Sequence, residues 1–113
     1  MPYISTQVSC PLTHDTEQSL KTAFGEAIAC LPGKTEEYLM LSFTERARLW
    51  FGGSDAPAAM IEVSVFGSFP HAAAGELTAR LTSAVSDTLF IPRDRIYVKF
   101  SSTSEWGWGG EMF

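Results

Sequence analysis

The second residue of the chain is a proline, and removal of Met1 would make its ring nitrogen the terminal amine. A secondary amine there can act as a base. Enolisation needs such a group: it takes a proton α to a carbonyl and returns it to the carbonyl oxygen, and it works best when it titrates near the working pH. Ordinary α-amino groups titrate at about 7.7–8.0, and a proline amine is somewhat more basic, so its pKa must be lowered. Burial and a neighbouring cation both disfavour the protonated form. Lys34 or Lys99 would supply that cation and also attract the carboxylate of an acidic substrate. Proline's fixed φ orients the nitrogen, and a strand gives it a rigid base. A Met-Pro start alone decides little, because it also serves merely to permit methionine removal.

The other reactive side chains point to less. Cys10 and Cys30 are too few for a disulfide framework, match neither a zinc nor a CxxC spacing, and read as buried thiols in a reducing compartment. His14 and His71 precede expected helices without a carboxylate–histidine cluster of metal-ligand spacing, so they read as surface or capping residues and no metal site is assigned. Ser54, Ser64 and Ser102 lack a GxSxG setting. Neither GxGxxG nor GxxxxGK[ST] is present, so nucleotide cradling has no support and no cofactor is called for.

The elements that must carry these residues come in two similar halves. Tyr3–Val8 is β-prone, with Ile4, Thr6 and Val8 on one face. A helix is expected from about Thr16 to Leu31, with Leu20, Phe24, Ala27, Ile28 and Leu31 at helical spacing, and Pro32-Gly33 stops it. Tyr38–Phe43 reads as a strand. The second half repeats this with a strand at Met60–Phe66, a helix from about Ala73 to Leu89, and a strand at Arg95–Phe100. An offset of 57 relates Ile4 to Ile61, Val8 to Val65, Leu20 to Leu77, Ala27 to Ala84 and Phe43 to Phe100. The chain is therefore one domain over 1–113 with an internal repeat of about 2–56 and 59–113. The fold class is α/β: duplicated βαβ units forming a four-stranded mixed sheet with two helices on one face. Solenoids need more repeats than two.

That architecture leaves one sheet face without helices and two strand edges unpaired, which association with further copies of the chain would cover. A domain of 113 residues is marginal alone and gains from assembly. The tail carries Trp106, Trp108, Met112 and Phe113, which must dock on something, a neighbouring subunit included. Charge excludes other partners. The net charge is −5, with eight basic and thirteen acidic residues and no Lys/Arg stripe, so nucleic-acid binding is not expected. No apolar run reaches the length of a membrane span and the start is no signal peptide. The expectation is a soluble, cytoplasmic protein whose export, if any, needs no signal peptide.

Several stretches together resemble the macrophage migration inhibitory factor and D-dopachrome tautomerase family. They are Met1-Pro2, Gly33-Lys34 with Tyr38, Phe51-Gly52-Gly53-Ser54, Phe66-Gly67, Asp94-Arg95-Ile96-Tyr97 and Trp106-Gly107-Trp108-Gly109-Gly110. The resemblance runs the length of the chain and lies in the order and spacing of these motifs. It implies a homotrimer with an active site at each subunit interface. It also implies keto–enol tautomerisation of aromatic α-keto acids such as phenylpyruvate, and of dopachrome-like compounds. Pro2 would be the acid/base. Lys34 and the main chain at Val65 and Phe66 would hold the carboxylate or carbonyl. Tyr38, Tyr97, Lys99, Trp106, Trp108 and Phe113 would border the pocket.

Three departures accompany the resemblance. Ala58-Ala59-Met60-Ile61 stands where the mammalian cytokine has CxxC, so its thiol–disulfide activity is not expected here. Lys99 replaces a usual asparagine, and Phe66 a smaller aliphatic residue that would leave a wider pocket. The loop before Trp106 is slightly short. Two rival readings differ in kind: a receptor-binding signalling ligand with vestigial tautomerase activity, and hydration or dehalogenation by the same proline. The latter needs an added carboxylate or arginine, and none is evident at the matching positions.

Overall fold

The computed structural model describes residues 1–113. Strand β1 is Pro2–Val8, helix α1 His14–Ala27, β2 Met40–Thr44, β3 Ala59–Phe66, α2 His71–Leu89 and β4 Ile96–Thr103. A small hairpin of β5 (Gly107–Trp108) and β6 (Glu111–Met112) ends the chain. The main sheet has the order β2-β1-β3-β4. Each βαβ unit makes a parallel pair, β1 with β2 and β3 with β4, and the units join antiparallel through β1 and β3. Both helices lie on one face, as expected of a duplicated βαβ fold.

The core follows the alternation read from the sequence. Ile4, Val8, Ile61, Val63 and Val65 are fully buried beneath Leu20, Phe24, Ile28 and Leu31 of the first half and Leu77, Leu81 and Val85 of α2. Phe24 also meets Phe43 of β2, ring centroids 5.8 Å apart. Thr6 shares the buried parity, and its hydroxyl has no hydrogen-bond partner. On the opposite parity Gln7, Glu62, Tyr97 and Lys99 are exposed, so one face of the sheet is open.

Several boundaries differ from the sequence reading, each for a local reason. Helix α1 begins at His14 because Thr13 caps it: the Thr16 N–H donates to Thr13 Oγ1 at 3.1 Å, and the Thr13 N–H donates to Thr16 Oγ1 at 2.9 Å. It ends at Ala27 and tightens into a 3₁₀ turn, Ile28–Cys30. Tyr38 lies outside the strand, in a 3₁₀ turn spanning Glu36–Tyr38, and pairing with β1 starts at Met40. Helix α2 starts at His71 rather than Ala73, and Phe90 closes it in the left-handed region at φ 60°. Strand β4 continues past Phe100 to Thr103 because β3 extends beside it to Phe66. Cys10 and Cys30 are free and half-buried rather than buried. The offset of 57 holds for helix starts (His14, His71) and for the 3₁₀ turns (Glu36–Tyr38, Arg93–Arg95).

Two core substitutions should move stability in opposite directions. Phe24→Ala removes a fully buried ring and should cost about 3–5 kcal/mol. Thr6→Val removes an unpartnered buried hydroxyl at nearly constant volume and should stabilise by about 1 kcal/mol. Urea unfolding at a fixed chain concentration checks both, and destabilisation by Thr6→Val would show that the hydroxyl is satisfied after all.

Candidate active site

The topology gathers four strand ends at one place. β1 and β2 begin there, while β3 and β4, running the other way, end there. Pro2 pairs with Val65 and Tyr3 with Met40, so the amino end of the chain lies between the close of β3 and the start of β2. Pro2 is buried, and a cavity of about 950 Å³ opens beside it. Pro2, Tyr3, Tyr38, Met40, Trp106 and Trp108 are among its lining.

Lys34 reaches this place from the turn after the first helix. Gly33 takes φ 77°, which glycine adopts without strain, and the Lys34 N–H donates to Leu31 O at 3.1 Å. The half-buried Lys34 side chain then donates from Nζ to the Phe66 carbonyl at 3.0 Å. This bond turns the ammonium to the end of β3. The Phe66 N–H donates to the Met1 carbonyl at 3.1 Å. That carbonyl carbon is bonded to the Pro2 nitrogen, so the amide hydrogen of Phe66 is aimed at an oxygen two bonds from that nitrogen.

The amine at this end of the chain is held below its ordinary value of 8.0, chiefly by burial, then by the positive charge of Lys34 and its hydrogen bond. In this structure the amine belongs to Met1. Removing Met1 would move the amine one residue inward, onto Pro2 at the start of β1. Burial, and secondarily the Glu45 charge, raise the Cys10 thiol, opposed only by a backbone hydrogen bond. Cys10 is therefore no activated nucleophile.

The tail closes the site with aromatic rings. Gly109 and Gly110, at φ 63° and 88°, make the tight turn between β5 and β6, and the Phe113 N–H donates to Trp106 O at 2.9 Å. Trp108 meets Tyr38 at 5.8 Å and Phe113 at 6.0 Å, both edge-on, and Phe113 meets Phe66 at 5.6 Å. The Phe66 ring is thus held in the aromatic wall.

One protomer does not bring every expected residue together. Pro2, Lys34, Tyr38, Phe66, Trp106, Trp108 and Phe113 converge. Val65 takes part only through its main chain, its side chain being fully buried in the core. Tyr97 stands near the start of β4, at the end of the sheet away from Pro2, and Lys99 stands midway along it. Tyr97 is level with Met60 and hence Gln7, five residues along β1 from Pro2, or about 16 Å. Lys99 is level with Glu62 and Ser5, about 10 Å from Pro2 along the strand. Of the two cations the sequence offered, Lys34 is the one beside the amine. Tyr3 was missed, although it alternates with Ile4 on the same strand; its hydroxyl hydrogen-bonds Ser42 Oγ at 2.7 Å and fixes one wall. Met40 was missed too, and no sequence signal marks it, since its place depends on the β1–β2 register. His14 and His71 are exposed first residues of their helices.

Two βαβ units joined antiparallel, with their strand ends around an amino-terminal amine, are the architecture of the tautomerase superfamily. The chain belongs to the macrophage migration inhibitory factor (MIF) family, which matches it over residues 1–113. A macrophage migration inhibitory factor homolog of Trichuris trichiura is 28% identical over 115 residues, covering all of both chains. The crystal structure of Leishmania major MIF2 superposes with a TM-score of 0.94 at 34% identity, over 100% of this chain and 97% of that one. The homologue from Prochlorococcus marinus gives 0.88 at 28% identity over 98% of each chain.

The electrostatics of the amino end can be checked by acylation rate against pH for the chain that retains Met1. The amine should become reactive with a midpoint below 8.0. Lys34→Met should raise that midpoint only part of the way back, because burial is the larger cause. No change on losing Lys34 would show that its charge is not felt there.

Proposed function

We propose that the mature chain, with Met1 removed, is a keto–enol tautomerase of aromatic α-keto acids such as phenylpyruvate, and that it works as a homotrimer. Dopachrome-like compounds are further candidate substrates. The observation that carries the reading is the pair of bonds at Phe66, whose N–H meets the Met1 carbonyl while its own carbonyl holds Lys34 Nζ. Loss of Met1 does two things at once. It turns the Pro2 nitrogen from an amide into an amine, and it frees the Phe66 N–H to receive a substrate oxygen beside that amine.

The chemistry follows from these groups. The neutral Pro2 nitrogen takes the α-proton of the keto acid, and the C–H electron pair becomes the carbon–carbon double bond of the enol. The carbonyl π electrons move onto oxygen, where the Phe66 N–H and the Lys34 ammonium offset the developing negative charge. The protonated Pro2 nitrogen then gives its proton to that oxygen and returns to the neutral form, and the reverse sequence converts enol to ketone. Lys34 also draws the substrate carboxylate against the chain's overall charge of −5. Tyr38, Trp106 and Trp108 offer an apolar, aromatic wall to the substrate's ring.

The homotrimer is supported by what one protomer leaves unfinished. β2 and β4 are unpaired edges, one face of the sheet is open, and Tyr97 is 60% exposed at the end of the sheet away from Pro2. A neighbouring copy would present its Tyr97 and Lys99 to this pocket and cover those surfaces.

The test follows phenylpyruvate enol–keto conversion by absorbance, comparing the mature protein with a form that keeps an extra residue before Pro2. Both forms should sediment at the mass of three chains, and the extended form should be nearly inactive. Equal rates in the two forms would defeat the mechanism.

A further inference from the structure

Arg95 has no carboxylate partner within ion-pair distance, yet it is the most heavily bonded side chain on the surface. Its guanidinium donates to four main-chain carbonyls: Nε to Pro57 O at 2.9 Å, Nη1 to Phe51 O at 3.2 Å, and Nη2 to Ser54 O and Ala56 O, both at 3.0 Å. All four belong to the connection between the two repeats. That connection turns tightly at Gly52-Gly53, at φ 59° and 78°, where Phe51 and Ser54 exchange backbone hydrogen bonds of 2.9 and 3.1 Å. The guanidinium carbon also sits 5.2 Å from the Phe51 ring centroid, within cation–π range. The Phe51 ring in turn packs on Tyr97, centroids 4.7 Å apart, tilted by 55°.

The geometry points to Arg95 as a positioning residue for the substrate pocket. It gathers the carbonyls of the 51–57 turn, sets Phe51, and through Phe51 fixes the ring of otherwise exposed Tyr97. The chain of contacts is direct. Arg95 opens onto β4 two residues before Tyr97, so one side chain ties the turn to the start of that strand. Only a planar fork with several donors can bond to four converging carbonyls; a lysine ammonium is a compact charge with three donors and no fork. Without the clamp the Tyr97 ring would sample several rotamers, and the pocket it borders would lose a preformed wall. The inference rests on the reading of Tyr97 as a pocket residue contributed to a neighbouring copy.

The test uses mature Arg95→Lys, with Phe51→Leu as a second variant that leaves the carbonyl cage in place. Two readouts are needed. The first is the ring resonances of Tyr97, one of three tyrosines in the chain, assigned by Tyr97→Phe. The second is KM and kcat for phenylpyruvate. Arg95→Lys should move the Tyr97 resonances towards those of a free tyrosine. It should raise KM on the order of tenfold, the effect of about 1.4 kcal/mol of lost binding, with kcat within about twofold. In a Tyr97→Ala background it should add nothing further. Unmoved Tyr97 resonances, or an undiminished KM effect in the Tyr97→Ala background, would overturn the inference. If Arg95→Lys loses its assembly, Phe51→Leu decides by the same two readouts. A Tyr97→Ala variant with unchanged KM would count against the pocket reading itself, while the resonances would still judge the clamp.

Discussion

Because β1 lies antiparallel against β3, with Pro2 opposite Val65 and Val8 opposite Ala59, the two βαβ units face opposite ways along one sheet. Everything at the site depends on that pairing. It places the first residue of the chain beside the last residues of β3, where the Phe66 amide and carbonyl are both available. The same pairing sends the start of β4, with Tyr97, to the other end of the sheet. A single protomer therefore brings its amino end, Lys34 and the aromatic tail together, while its Tyr97 and Lys99 lie elsewhere on the sheet.

The electrostatic logic is local. The chain as a whole is acidic, yet its amino end is half-enclosed and has Lys34 for a neighbour. Burial and the ammonium act in the same direction on an amine, both favouring the neutral form that can accept a proton. They act in opposite directions on a bound anion: burial penalises its charge and Lys34 offsets it. One lysine can thus serve both the base and the substrate. The Phe66 carbonyl keeps that lysine in place, so the arrangement does not rely on a flexible side chain finding its position.

Much of the fold was legible in the sequence because its signals are periodic. Ile4, Val8, Ile61 and Val65 mark a buried sheet face, Leu20, Phe24, Leu77 and Leu81 mark two helix faces, and the structure keeps all of them in the core. The offset of 57 even aligns helix starts and 3₁₀ turns. What failed was local hydrogen bonding without periodicity. Thr13 and Thr16 extend α1 by a reciprocal cap, and Tyr38 looks like strand but closes a 3₁₀ turn. The candidate site was legible in part: Pro2 and Lys34 stand out by chemistry and by family resemblance, and the structure places them close together. Tyr3, Met40 and the four-carbonyl grip of Arg95 arise from strand register and a glycine turn, which residue types alone do not encode.

The account stands on a proline nitrogen that is mostly neutral near physiological pH. Nuclear magnetic resonance of the mature chain, with ¹⁵N in its proline residues, would follow the Pro2 nitrogen directly through a pH titration. The account predicts a midpoint clearly below the ordinary amino-terminal range of about 7.7–8.0. A midpoint at or above that range would mean a protonated, solvated amine, and would contradict its role as the base.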